Sequence, residues 1–121
     1  MFRKLKDLKF DLKMRCQRFK KGYADVDTWN LDGFLEETFR KMLIQFKEEH
    51  NGYPPNLTPE KWEEILDRMI FLLGEMNEYT CSKKTDLGST IEEMKEKYDY
   101  MVECKNEFYD LIKEHHYQLW W

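Results

Sequence analysis

The sequence predicts an all-α fold: a four-helix antiparallel bundle with a basic N-terminal helix and a long C-terminal helix, assembled as an oligomer. Three observations predict it. Apolar residues recur at i, i+3, i+4 and i+7 over long stretches, the period of an amphipathic helix. Only 5 Gly and 3 Pro among 121 residues leave few turn formers for an all-β sandwich, which turns about every 8–12 residues. The 4 Trp, 7 Tyr and 8 Phe supply core material that a disordered chain lacks. The length fits a single helical domain over residues 1–121.

The first helix covers residues 1–22, where Leu5, Leu8, Leu12 and Phe19 form one apolar stripe and Lys21-Gly22-Tyr23 stops it. Residues 24–30 are dense in N-cap types, and a second helix follows over 28–50. Its core face is Leu31, Phe34, Leu35, Thr38, Phe39, Met42, Leu43 and Phe46. Asn51-Gly52-Tyr53-Pro54-Pro55-Asn56 breaks it.

The third helix, 59–79, has the clearest start: Thr58 as N-cap, Pro59 at N1, Glu60 in the first turn, and Leu57 stapled to Trp62. Trp62, Ile65, Leu66, Met69, Ile70, Leu73 and Met76 form its core face, with Phe71 nearly opposite. The segment 80–88 is a polar loop. Ser89 and Glu92 are spaced as a capping box for the last helix, 90–117. Its apolar positions Ile91, Met94, Tyr98, Met101, Phe108, Ile112, His115 and Leu119 keep a heptad broken at Lys105. At 1.5 Å per residue that helix spans roughly 42 Å, longer than either middle helix, so it must bend, overhang or pair with a second copy.

Charge is split along the chain. Residues 1–22 carry nine Lys/Arg against two Asp, a net of +7, while the rest carries −11, for −4 in all. The basic arm docks on its own acidic fold or meets an anionic partner such as nucleic acid; internal docking of the leucine stripe is the preferred expectation. No apolar run reaches the roughly 18 residues of a membrane span, the first 21 residues lack the apolar stretch of a secretory signal, and no membrane partner is expected. Three Cys (16, 81, 104) without a CxxC pair point to reduced thiols in a cytoplasmic setting, and His115 and His116 diverge by about 100° on a helix, so neither a disulfide framework nor a metal is expected.

Two stretches, Arg18-Phe19-Lys20-Lys21-Gly22-Tyr23-Ala24-Asp25-Val26-Asp27-Thr28-Trp29-Asn30-Leu31-Asp32 and Gly52-Tyr53-Pro54 with Leu57-Thr58-Pro59-Glu60-Lys61-Trp62-Glu63-Glu64-Ile65-Leu66-Asp67, resemble a family of small helical phage and prophage proteins. The resemblance covers roughly residues 15–78 and implies a viral origin and a helical fold, with no assigned activity.

For chemistry, Glu36-Glu37, Glu64-x-x-Asp67 and Glu96-x-x-Asp99 are the best enzyme pattern, that of all-α Mg-dependent nucleoside-triphosphate pyrophosphohydrolases, whose carboxylates converge on the ion. Arg40 stands where a third acid belongs, and the wheel turns Glu64 and Asp67 away from the core face. Glu92, Glu96, Asp99 and Glu103 read as a solvated acidic stripe on the last helix. With no Ser-His-Asp order and no glycine-rich phosphate loop, the function expected is non-enzymatic: a phage accessory protein that neutralises a host-defence component in the host cytoplasm, either a defence protein or a signalling nucleotide held as by a sponge. Trp29, Arg40, Lys41 and Arg68 are the candidate ligand-binding residues, a pocket between protomers being the simplest way to join them. Trp29, Asp32, Trp62, Trp120 and Trp121 are the expected structural anchors, and no cofactor is expected.

Overall fold

A computed structural model describes residues 2–120. Among them the chain is all-helical, with four α-helices, α1 (Phe2–Lys21), α2 (Leu31–Glu49), α3 (Pro59–Glu75) and α4 (Ile91–His115), and two short 3-10 turns. It forms two compact units, one up to Phe34 and one from Leu35 onward, where the sequence suggests one domain.

In the first unit the chain reverses at Gly22, whose φ of 83° is the left-handed conformation that ends helices, and its N–H bonds back to Arg18 O at 3.0 Å. The 3-10 turn Asp25–Thr28 then lies along α1. Gln17 clasps it twice: its Nε2 donates to Asp25 Oδ2 at 2.7 Å and its Oε1 accepts from Asp25 N at 2.8 Å. Arg18 forks onto Asp27 at 2.9 and 3.3 Å, and Asp27 also accepts from Ala24 N at 2.8 Å. Hydrogen bonds from Lys21 and Gln17 hold the Asp25 carboxyl below the usual range, and those from Arg18 and the Ala24 N–H do the same for Asp27.

These bonds choose the side of α1 that is covered. Met14 and Ala24 are buried, and Phe10 meets Trp29 at 6.4 Å between ring centroids. The stripe Leu5, Leu8, Leu12 and Phe19, expected to dock internally, is exposed instead. It lies on the side of the helix opposite Phe10, Met14 and Gln17, and the polar clasp, not leucine content, decides which side the returning chain covers.

The second unit has the larger core. Leu43 of α2, six residues from Trp62 to Met76, and Cys104 and Phe108 of α4 are buried together. Phe39 joins them, its ring edge-on to Phe108 at 5.7 Å. Each fully buried apolar side chain of this kind is worth roughly 1.5–3 kcal/mol relative to exposure.

The element boundaries follow their caps. Thr58 Oγ1 accepts from Lys61 N at 3.1 Å, Pro59 takes the first position, and Leu57 packs on the core as expected. α3 ends at Glu75, four residues short of expectation, because Asn77 Oδ1 accepts from Tyr79 N at 2.9 Å and turns the chain away. The capping box of α4 is Thr90 with Glu93, one residue later than expected; Ser89 Oγ instead accepts from Asp86 N at 2.8 Å. α4 tightens into a 3-10 turn at His116–Gln118, and α2 begins at Leu31, after the 3-10 turn takes the residues expected as its start.

Candidate binding site

The chain between α2 and α3 crosses the C-terminal turn in the second unit, and a pocket of about 280 Å³ opens where they meet. Trp62 forms its floor because position N4 of α3 points into the core, and Pro54 is buried beside it. Tyr53, Pro55 and Trp120 also line it, together with Asn51, Gly52 and Gln118.

The Gln118 amide is held in place. His115 is buried at the end of α4, with its ring edge-on to Trp62 at 5.8 Å and its Nδ1 bonded to Gln118 Oε1 at 2.6 Å. Gln118 Nε2 donates to Asn56 Oδ1 at 3.3 Å. An amide has four hydrogen-bonding positions, so one N–H and one acceptor site of Gln118 are left for a ligand. Among the described residues, those that line the pocket are uncharged.

The residues singled out by sequence fall elsewhere. Trp62 is buried in the core of the second unit. Trp29 is largely exposed and leans on Phe10, so it is no peg in a core. Asp32 is exposed and accepts only from the adjacent Gly33 N at 2.8 Å. Trp120 edges the pocket yet remains exposed instead of docking on the helices, and Trp121 lies outside the described residues.

Of the candidate ligand cations, Lys41 pairs with Glu37 at 2.9 Å along α2. Arg68 forks onto Glu107 of α4, its Nη2 reaching Oε1 at 2.7 Å, and its guanidinium lies 5.2 Å from the Phe71 ring centre. Arg40 is exposed and lies over Gly74, where an added Cβ would come within 3.3 Å of its Nε. None of the three lines the pocket.

The carboxylate pattern is likewise dispersed into local pairs. Asp67 bonds Lys47 at 2.6 Å, Glu64 lies 3.5 Å from Lys61, Glu96 bonds Lys83 at 3.0 Å, and Glu36 accepts from Asn77 Nδ2 at 3.1 Å. Among the described residues no group of three His, Cys, Asp or Glu side chains is placed to share a cation.

One buried polar centre escapes the sequence reading. Glu75, at the C-terminal end of α3, is 7% exposed and accepts from Ser82 N at 2.8 Å, Ser82 Oγ at 2.5 Å and Tyr100 OH at 2.8 Å. Burial pushes its carboxyl up, but the bonds from Ser82 and Tyr100 outweigh burial and hold it below its usual value. The same bond to Glu75, aided by burial, holds the Tyr100 phenol above the usual tyrosine range. Burial also raises the Cys104 thiol, and all three cysteines are free. Nearby, Lys97 is buried and donates to Glu78 O at 3.2 Å. The network ties the loop after α3 to α4.

No family profile, curated protein or solved structure matches this chain.

Proposed function

We propose that this chain is a non-enzymatic phage accessory protein that neutralises a host-defence protein by gripping it with the exposed face of α1. The carrying observation is that α1 has two apolar sides and the chain covers only one. Leu5, Leu8, Leu12 and Phe19 are 54%, 56%, 52% and 92% exposed. Together they present on the order of 500 Å² of apolar surface, near the top of the roughly 300–600 Å² of a monomer's largest patch, which is often functional. Lys4, Lys9 and Arg15 border the stripe. A helix of this kind fits an apolar groove rimmed by carboxylates. Nucleic acid takes cations but has no use for a leucine stripe, which places binding through residues 1–22 second.

The antiparallel bundle and the homo-oligomer belong to the same proposal, since Ile91, Met94 and Tyr98 leave part of the α4 heptad exposed for a second copy. The nucleotide-sponge version has less support, because Lys41 and Arg68 already hold Glu37 and Glu107. The phage origin and a host-cytoplasm setting rest on the motif resemblance.

The test compares the wild type with Leu5→Ser/Leu8→Ser/Leu12→Ser as crosslinking baits in infected-cell lysate, helix content being followed by circular dichroism. A host protein bound by the wild type, released by the variant at equal helicity, and inhibited in its own assay supports the proposal. Retention of duplex DNA or phosphatidylserine vesicles in place of a protein, or equal capture by both baits, overturns it.

A further inference from the structure

The pocket at the C-terminal end of α4 is lined by residues of the second unit, and its assignment is independent of the proposal above. We propose that it is a binding site for an uncharged planar heteroaromatic ring, the base of a purine nucleoside being the chemistry that fits it. Three aromatic side chains, Tyr53, Trp62 and Trp120, are among the residues that line it. At about 280 Å³ it is at the small end of ligand pockets, with room for one ring system and not for a dinucleotide.

Its polar groups are amides. Asn51 and Gln118 each pair a donor with an acceptor, the pattern that reads the donor–acceptor edge of adenine. Gln118 is preset for this by its bonds to His115 and Asn56. Two side-chain amides, one of them oriented by its own bonds, would serve little purpose for a purely aliphatic guest. A quaternary cation would use the aromatic faces but leave the Asn51 and Gln118 amides without a ligand partner, and a phosphate would call for Lys or Arg, neither of which lines the pocket among the described residues. The sugar and any phosphate of a nucleotide would therefore project into solvent past Trp120, which forms the outer wall and is exposed.

Ligand-observed NMR on the full chain, with adenosine, AMP, choline and indole as probes, tests this. Adenosine should bind saturably, AMP within about threefold of it because no cation meets the phosphate, and choline and indole more weakly. Trp120→Ala removes an exposed ring without opening the core and should weaken adenosine by roughly 5- to 150-fold, the value of one base–aromatic stack. Gln118→Leu should abolish the preference for adenosine over indole. Absence of saturable adenosine binding, a tighter choline complex, AMP tighter by tenfold or more, or a Trp120→Ala protein that binds as the wild type does would each overturn the assignment.

Discussion

At the scale of single residues, Glu75 is a buried carboxylate that accepts three hydrogen bonds. Its depressed carboxyl means that its contribution to stability is present above the unfolded-state value near 4.3 and is lost as pH falls through its lower native value. Tyr100→Phe keeps the ring and removes a donor, leaving the buried carboxylate with Ser82 alone. The expected cost is about 1–3 kcal/mol. The native carboxyl should rise toward the unfolded value, so the acid-unfolding midpoint, followed by the near-ultraviolet signal of buried Trp62, should move to higher pH. An unchanged midpoint would show that Tyr100 does not support the charge. Glu64 and Asp67 are the contrasting case, each exposed beside a lysine. Dispersed carboxylates cannot hold Mg²⁺ in its octahedral geometry unless substrate phosphates assist. Incubation with nucleoside triphosphates, dUTP included, and Mg²⁺ should release no pyrophosphate above blank, and turnover abolished by Glu64→Gln or Asp67→Asn would refute the non-enzymatic proposal. Sequence spacing exposed the local cause in one case and hid it in the other. The wheel already turns Glu64 and Asp67 outward, whereas nothing about Glu75, Ser82 and Tyr100 in the linear chain shows that 7- and 25-residue separations close into one network.

At the scale of elements, caps were legible, whereas periodicity marked the helices but not which apolar positions are covered: Leu31, Leu35 and Met42 of the expected α2 core face are exposed. Thr58 with Pro59 announced α3 because one side chain and one ring act locally. The start of α4 offered two adjacent hydroxyls, each with a Glu three residues on, and the turn at Asp86 draws Ser89 away and leaves Thr90 as the cap. Thr90→Ala should therefore cost about 0.5–2 kcal/mol in urea unfolding and Ser89→Ala distinctly less; the reverse order would restore the earlier register. On α1 the leucine stripe is the stronger periodic signal, yet Gly22 and the Gln17–Asp25 clasp lay the returning chain over Met14. Met14→Ala should cost about 2–5 kcal/mol of the first unit's stability, whereas Leu8→Ala should stay within about 0.5 kcal/mol, by denaturant unfolding with a far-ultraviolet readout. Comparable losses would mean that the exposed stripe has a cover within the chain. The pocket was half legible: Gly52-Tyr53-Pro54 stood out as a break and Trp120 as an expected anchor, but their meeting beside Trp62 is tertiary.

At the scale of the whole molecule, the charge split makes two modes of self-association distinguishable by salt. One mode pairs exposed Ile91, Met94 and Tyr98 of α4 with the same seam on a second copy. That seam runs beside Glu92, Glu96, Asp99 and Glu103, so it brings like charges together. The other mode lays the +7 arm of one copy on the −11 remainder of another and brings opposite charges together. At physiological ionic strength the Debye length is about 8 Å, and in 1 M salt about 3 Å, so screening acts on both modes with opposite sign. Apolar burial sets the affinity in either case: for the α1 stripe, about 500 Å² at ~25 cal/mol per Å² gives a gross gain of roughly 12 kcal/mol. Association costs on the order of 4–15 kcal/mol, so the balance favours a reversible complex over an obligate one. Sedimentation equilibrium at micromolar concentrations should return a weight-average mass above 15.0 kDa that rises with salt. Tyr98→Glu should return it to 15.0 kDa, while Leu5→Ser/Leu8→Ser/Leu12→Ser leaves it unchanged. A mass that falls with salt and is lost in the α1 variant instead would assign the interface to the basic arm, and a clean monomer at every concentration and salt would remove the homo-oligomer from the proposal.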